Sequence, residues 1–205
     1  MLNAALQQLP LVAILRGVKP DEVEAIADAL HAEGFRVIEV PLNSPNALDS
    51  IARLARRMPA DTVVGAGTVL STEAVAQVAA AGGRLIVMPH ADVAVIREAK
   101  ARGLFCVPGA ATPTEAFAAV HAGADALKLF PAELVTPTVM KAMRAVLPRE
   151  LKLLPVGGIT PETMAPFKAA GAAGFGLGSA LYSPGLGAVE VGQRARAFVQ
   201  AWRAL

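Results

Sequence analysis

Apolar residues in this chain gather into eight short runs, at 11–15, 36–42, 62–66, 84–88, 104–107, 125–130, 151–156 and 173–177. Each run starts 20 to 26 residues after the one before. Runs this short and this rich in Val, Ile and Leu predict strands covered on both faces, as in parallel sheets. Between them lie Ala-rich stretches in which apolar positions recur at helical spacing. Val23, Ile26, Ala27 and Leu30 form one such face, and Val139, Met143 and Val146 another.

The punctuation repeats with the same period. Ser44-Pro45, Thr112-Pro113, Thr136-Pro137 and Thr160-Pro161 each read as a capping hydroxyl followed by proline at the first helical position. Gly34, Gly82, Gly103, Gly123 and Gly171 stand just before the next apolar run, where a helix would end in a left-handed cap. The two remaining helices stop at Pro59 and Pro148. Strand and helix alternating at this period predict parallel βα units. Eight of them make an α/β protein, a (β/α)8 TIM barrel. It is expected as a single domain over residues 1–205, with a short extra helix within residues 1–10. The length is below the ~250 residues typical of that fold, so the loops must be short. A doubly wound open sheet would not need eight units. Its dinucleotide fingerprint is missing too, because Gly174, Gly176 and Gly178 have the wrong spacing.

Composition narrows the function classes. Hydrophobic residues are 54% and charged residues 18%, which supplies a core and excludes disorder for most of the chain. The net charge of +2 comes from scattered residues, and aromatics are 4%, too few for base-stacking platforms, so no nucleic-acid partner is expected. The mean hydropathy of +0.49 raises the question of a membrane. The uncharged stretch 169–189 is long enough, but six glycines, Ser179, Tyr182, Ser183 and Pro184 make it too broken to span one. Residues 1–10 lack the marks of a signal peptide. The lone Cys106 fits a reducing compartment. A soluble, cytoplasmic enzyme is the expectation.

Three ionisable groups lie inside or at the end of apolar runs: Arg16 in LVAILRG, Glu39 in VIEVPLN and Lys128 in ALKLFP. Each falls near the C-terminal end of its strand, the face on which barrels carry chemistry. Glu39 and Lys128 could be a buried ion pair, but such pairs stabilise weakly. The alternative chemistry is direct. A lysine in apolar surroundings has a lowered pKa, and its neutral amine can attack a ketone to form a Schiff base. A buried carboxylate suits the proton transfers this requires.

Gly157-Gly158 and Gly178-Ser179 follow the seventh and eighth strands, where barrels commonly bind phosphate. Gly65-Ala66-Gly67-Thr68 closes the third strand and could offer a hydroxyl to a carboxylate. His31 and His121 fall on helices as surface residues, and His90 is at best peripheral. Cys106 reads as strand packing. Without H-x-H, H-E-x-x-H or C-x-x-C, neither a catalytic metal nor a cofactor is expected.

The strings AILRG, VIEVPLNSP, VGAGTVL, PGAATPTE, ALKLFPAE and PVGGITPE occur in this order across nearly the whole chain. Together they resemble the KDPG/KHG aldolases, the class I 2-keto-3-deoxy-6-phosphosugar aldolases, and most of all their galactonate branch. The resemblance implies that Lys128 is the Schiff-base lysine and Glu39 the proton-transfer residue. It implies that Arg16 binds the substrate's anionic end, that Thr68 lies near the pyruvate carboxylate, and that Gly157, Gly158, Gly178 and Ser179 hold phosphate. It also implies a homotrimer acting on a phosphorylated 2-keto-3-deoxy sugar acid and pyruvate. Asn43-Ser44 and Val156 stand where the gluconate branch usually carries arginine-threonine and threonine. Two rivals stay open. A phosphosugar isomerase or epimerase would form no covalent adduct, and a non-catalytic sugar-phosphate binder would tolerate Lys128→Met with its ligand affinity intact.

Overall fold

A computed structural model describes residues 1–205 as strands alternating with helices. Helix α1 (Leu2–Gln8) precedes β1 (Leu11–Ile14), α2 (Val23–Ala32), β2 (Val37–Pro41), α3 (Ala47–Arg57), β3 (Val63–Gly67) and α4 (Thr72–Ala80). Then come β4 (Leu85–Val87), α5 (Val93–Ala101), β5 (Phe105–Val107), β6 (Gly109–Ala110), α6 (Pro113–His121) and β7 (Leu127–Leu129). The chain ends with α7 (Pro137–Arg144), β8 (Leu153–Pro155), α8 (Met164–Ala169), β9 (Phe175–Leu177) and α9 (Ala188–Arg203).

Every strand pair is parallel, in two ladders ordered β5-β4-β3-β2-β1-β9 and β6-β7-β8. The apolar pattern predicts one fifth strand at 104–107. The structure has two pieces there, because Pro108 has no N–H to continue a ladder. The result is an α/β fold around a curled parallel sheet.

Side-chain alternation divides the core in two. Val12, Val37 and Val63 lie side by side in register and pack with Leu85, Val107 and Leu154 against Leu2 and Leu6 of α1. That short helix therefore covers one end of the strands. The opposite strand faces, with Ile38, Val64, Ile86 and Leu127 among them, join the helices in a cluster of 51 buried residues. Val23, Ile26, Ala27 and Leu30 are all buried there, as their spacing predicts.

Most of the punctuation folds as read. Thr112 and Glu115 form a reciprocal capping box, and Thr136 caps α7. The five pre-strand glycines all take positive φ. Two expectations are corrected. Ser44 does not cap α3, which starts after Asn46; its hydroxyl instead accepts the Gly17 N–H at 2.9 Å. Of the face expected at 139, 143 and 146, only Met143 is buried, together with Met140, while Val139 and Val146 are exposed. Val146 lies past the end of α7, so helical spacing does not apply to it.

Candidate active site

Lys128 sits in the middle of β7 with Leu127 and Leu129 turned to the helices. Period-two alternation sends its side chain the other way, and only 6% of the residue is exposed. The ammonium nitrogen is 4.6 Å from the centre of the Phe130 ring. Glu39, in the middle of β2, is 1% exposed and pairs in register with Ile14 on one side and Gly65 on the other. A Cβ at Gly67 would collide with its carboxylate, so the glycine two residues along β3 leaves the room this acid occupies.

The two groups perturb one another without forming an ion pair; the eight ion pairs of the chain all lie elsewhere. Burial pushes the Glu39 carboxyl up to about 7, against the pull of the Lys128 and Arg16 charges. Burial likewise lowers the Lys128 amine, with the Glu39 carboxylate opposing and Arg16 adding to the effect. Glu39 Oε2 is buried without a hydrogen-bond partner. A carboxyl near neutrality and an amine below its ordinary range, both with free valences, make an acid/base and nucleophile set.

A cavity of about 440 Å³ opens above Lys128 and brings Arg16 together with Gly157, Gly158, Gly178 and Ser179. Glu39 borders a narrow apolar gap below, which Lys128 also lines. Gly157 and Gly158 take φ of +117° and +59°, and the N–H groups of Leu181 and Tyr182 both donate to the Gly178 C=O, closing a single turn there. The amides of Gly157, Gly158, Gly178, Ser179 and Ala180 donate to no group of the chain. Left-handed glycines and turn amides left free in this way can form anion-binding concavities.

Thr68 does not line the larger cavity. It stands just past β3 with φ +54° and accepts from Arg16 Nη2 at 3.4 Å. His90 is exposed. Cys106 is buried, and burial pushes its thiol up to about 12, which matches a packing role. Sequence reasoning missed Tyr182, whose buried hydroxyl donates to Glu22 Oε1 at 3.0 Å and ties the loop after β9 to that after β1. It also missed Asn43 as a partner of Arg16.

A family model described as "KDPG and KHG aldolase" matches residues 2–203. The chain belongs to this aldolase family. Among relatives, it is 48% identical over 196 residues to a Rhizobium meliloti (strain 1021) protein named "Probable 2-dehydro-3-deoxy-6-phosphogalactonate aldolase", covering 96% of this chain and 92% of that one. It is 46% identical to the Escherichia coli (strain K12) "2-dehydro-3-deoxy-6-phosphogalactonate aldolase", covering 96% of each. A solved structure described as "Native KDPGal structure" superposes with a TM-score of 0.94 at 46% identity, covering 96% of each chain. An aldolase of this family is a carbon–carbon lyase, and that class accommodates a buried amine beside a buried acid. No helix is long and apolar enough to cross a membrane.

Proposed function

We propose that this chain is a class I aldolase that cleaves 2-dehydro-3-deoxy-6-phosphogalactonate, reversibly, to pyruvate and D-glyceraldehyde 3-phosphate. The observation that carries the reading is Lys128, a buried amine with a lowered pKa, set beside an acid that is not its ion-pair partner. The neutral amine adds to the C2 ketone, and Glu39 supplies the proton that lets water leave from the carbinolamine. The iminium draws the electrons of the C3–C4 bond as Glu39 takes the C4 hydroxyl proton. Glyceraldehyde 3-phosphate departs, the enamine gains a proton at C3, and water returns to free pyruvate and Lys128. Arg16 and Thr68 serve the carboxylate end, and the glycine loops hold the phosphate. We read the two ladders as one closed barrel of eight strands. The Val156–Gly176 bridge and the bond from the Asp125 N–H to the Cys106 C=O, which join the ladder ends, support this. A cytoplasmic homotrimer completes the reading.

The direct test is release of pyruvate from the purified substrate, measured in a coupled assay. Preference between epimers is the sharper one. Val156 lines the cavity with a side chain that cannot hydrogen-bond, where a hydroxyl would meet the C4 region. The galactonate 6-phosphate is expected to exceed the gluconate epimer in kcat/KM by about 1–3 kcal/mol, the worth of one polar contact. A reversed preference sinks the substrate assignment.

The phosphate end gives a second expected outcome. Ser179→Asp, at an exposed position, should raise KM at least tenfold for the phosphorylated substrate, because a carboxylate then faces the anion. Gly158→Asp is a worse probe, since φ +59° and the nearby Glu133 carboxylate would strain the backbone as well. Part of the remote binding energy positions the reacting bond, so kcat should fall on substrate lacking phosphate. Equal efficiency on both substrates, or an unchanged KM in Ser179→Asp, argues against this phosphate site.

A further inference from the structure

Arg16 is held by neutral groups alone. Its Nη1 donates to Asn43 Oδ1 at 2.6 Å and its Nη2 to Thr68 Oγ1 at 3.4 Å. One residue along, the Gly17 N–H donates to Ser44 Oγ at 2.9 Å. Two consecutive residues past β2 thus grip two consecutive residues past β1, one pair through the side chain and one through the backbone. Gly17 takes φ +82°, and Ser44 is buried beneath it. Elsewhere Arg36, Arg53, Arg57, Arg102, Arg194 and Arg196 each pair with a carboxylate. Arg16, the arginine that lines the cavity, has none.

A guanidinium carries five N–H donors. Two are taken by uncharged oxygens, so Arg16 keeps its full charge and three donors for an incoming anion. The strand order β3-β2-β1-β9 gives that anion a direction. Asn43 follows β2 and Thr68 follows β3, whereas the glycine loops follow β8 and β9 on the other side of β1. The grip therefore anchors the guanidinium on the β2–β3 side of the cavity that it shares with the glycine loops.

We infer that Asn43, backed by Ser44, is a positioning residue that aims Arg16 at the α-keto carboxylate of the substrate while leaving its charge uncompensated. The inference rests on the aldolase reading and adds to it a device and a direction. An amide is the side chain the task requires. Aspartate at 43 would keep the contact but pair with Arg16 and repel the carboxylate, and alanine would let the guanidinium swing.

Pyruvate separates the two ends of the site because it has a carboxylate and no phosphate. The measurement is the pyruvate concentration giving half-maximal inactivation by borohydride, alongside competitive inhibition of cleavage by inorganic phosphate. Asn43→Ala is expected to raise that concentration roughly fivefold, a loss scaled to one exposed hydrogen bond to a charged group, with the rate at saturating pyruvate kept. Asn43→Asp should raise it further, and Ser44→Ala should raise it less than either. Inhibition by phosphate should stay within about twofold of wild type throughout, which a general loosening of the fold would not allow. Wild-type protein that traps pyruvate while Asn43→Asp traps it equally well overturns this inference alone. An equal loss at both ends, or a fall in the saturating rate without a shift in half-saturation, overturns it as well. Wild-type protein that traps no pyruvate removes the aldolase reading and this inference with it.

Discussion

Lys128→Arg is expected to abolish cleavage, by about 10⁴-fold or more, on the scale seen when a catalytic nucleophile is removed. The positive charge is kept, so a loss on this scale would isolate nucleophilicity from electrostatics. A guanidinium stays protonated in proteins and cannot attack a ketone. Lys128 differs because burial disfavours its ammonium form and lowers its pKa, which makes the neutral amine easier to reach. In wild type, pyruvate with borohydride should inactivate irreversibly, because hydride turns the iminium into a stable secondary amine. The peptide containing Lys128 should then carry the mass of reduced pyruvate. Lys128→Met gives the structural control. It removes a buried charge from apolar surroundings, so the variant should melt no lower than wild type while remaining inactive. Chelators should leave turnover unchanged. A label on another lysine, or turnover that stops with chelator and survives borohydride, would falsify the Schiff-base mechanism.

The groups proposed for this chemistry stand out in the sequence because they break a pattern. Lys128 interrupts Leu127 and Leu129, and Glu39 interrupts Ile38 and Val40. In a period-two strand such a residue must face away from its apolar neighbours. Gly157, Gly158, Gly178 and Ser179 were visible through their place after two successive strands. The supports were not visible. Asn43 meets Arg16 across 27 residues and Tyr182 meets Glu22 across 160, contacts made between loops that no local propensity encodes. Local rules also misplaced Ser44. The Ser-Pro pair has the form of a helix start, but tertiary contact with Gly17 claims the hydroxyl and α3 begins later. The same limit explains β6, whose two residues are too few to show periodicity. The alternation of parallel strands and helices follows from repeat spacing, and the fine placement of the loop tips follows from contacts that form only once the strands are assembled.

Glu39→Gln should separate function from stability. Proton transfer by a positioned acid is worth about 10²–10⁴-fold, and kcat is expected to fall by that much, because both adduct formation and C3–C4 cleavage draw on this carboxyl. In wild type the cleavage kcat/KM should fall on the acid side with a midpoint near 7, where Glu39 gains its proton and can no longer accept one from the C4 hydroxyl. The amide does not titrate, so that limb should vanish from the residual activity. Stability should move the other way. The folded carboxyl holds its proton up to about 7, against 4.5 for the ordinary group, so between these values the folded state binds more protons than the unfolded chain. Wild-type stability therefore declines as pH rises through this window, by up to about 3 kcal/mol. Lys128 contributes with the opposite sign, because its folded pKa is lowered. The stability it withholds is regained as pH rises from that lowered value towards 10.5, opposite in direction to the Glu39 effect. Melting temperatures measured from pH 5 to 8 should slope downward in wild type and flatten in Glu39→Gln, which becomes the more stable of the two at pH 8. The variant replaces a buried carboxylate whose Oε2 has no partner with a group that carries no charge penalty. A variant that retains the acid limb assigns that titration to another group, and one that retains full activity removes Glu39 from the mechanism. A slope unchanged by the substitution would show that the carboxyl of Glu39 titrates at an ordinary value.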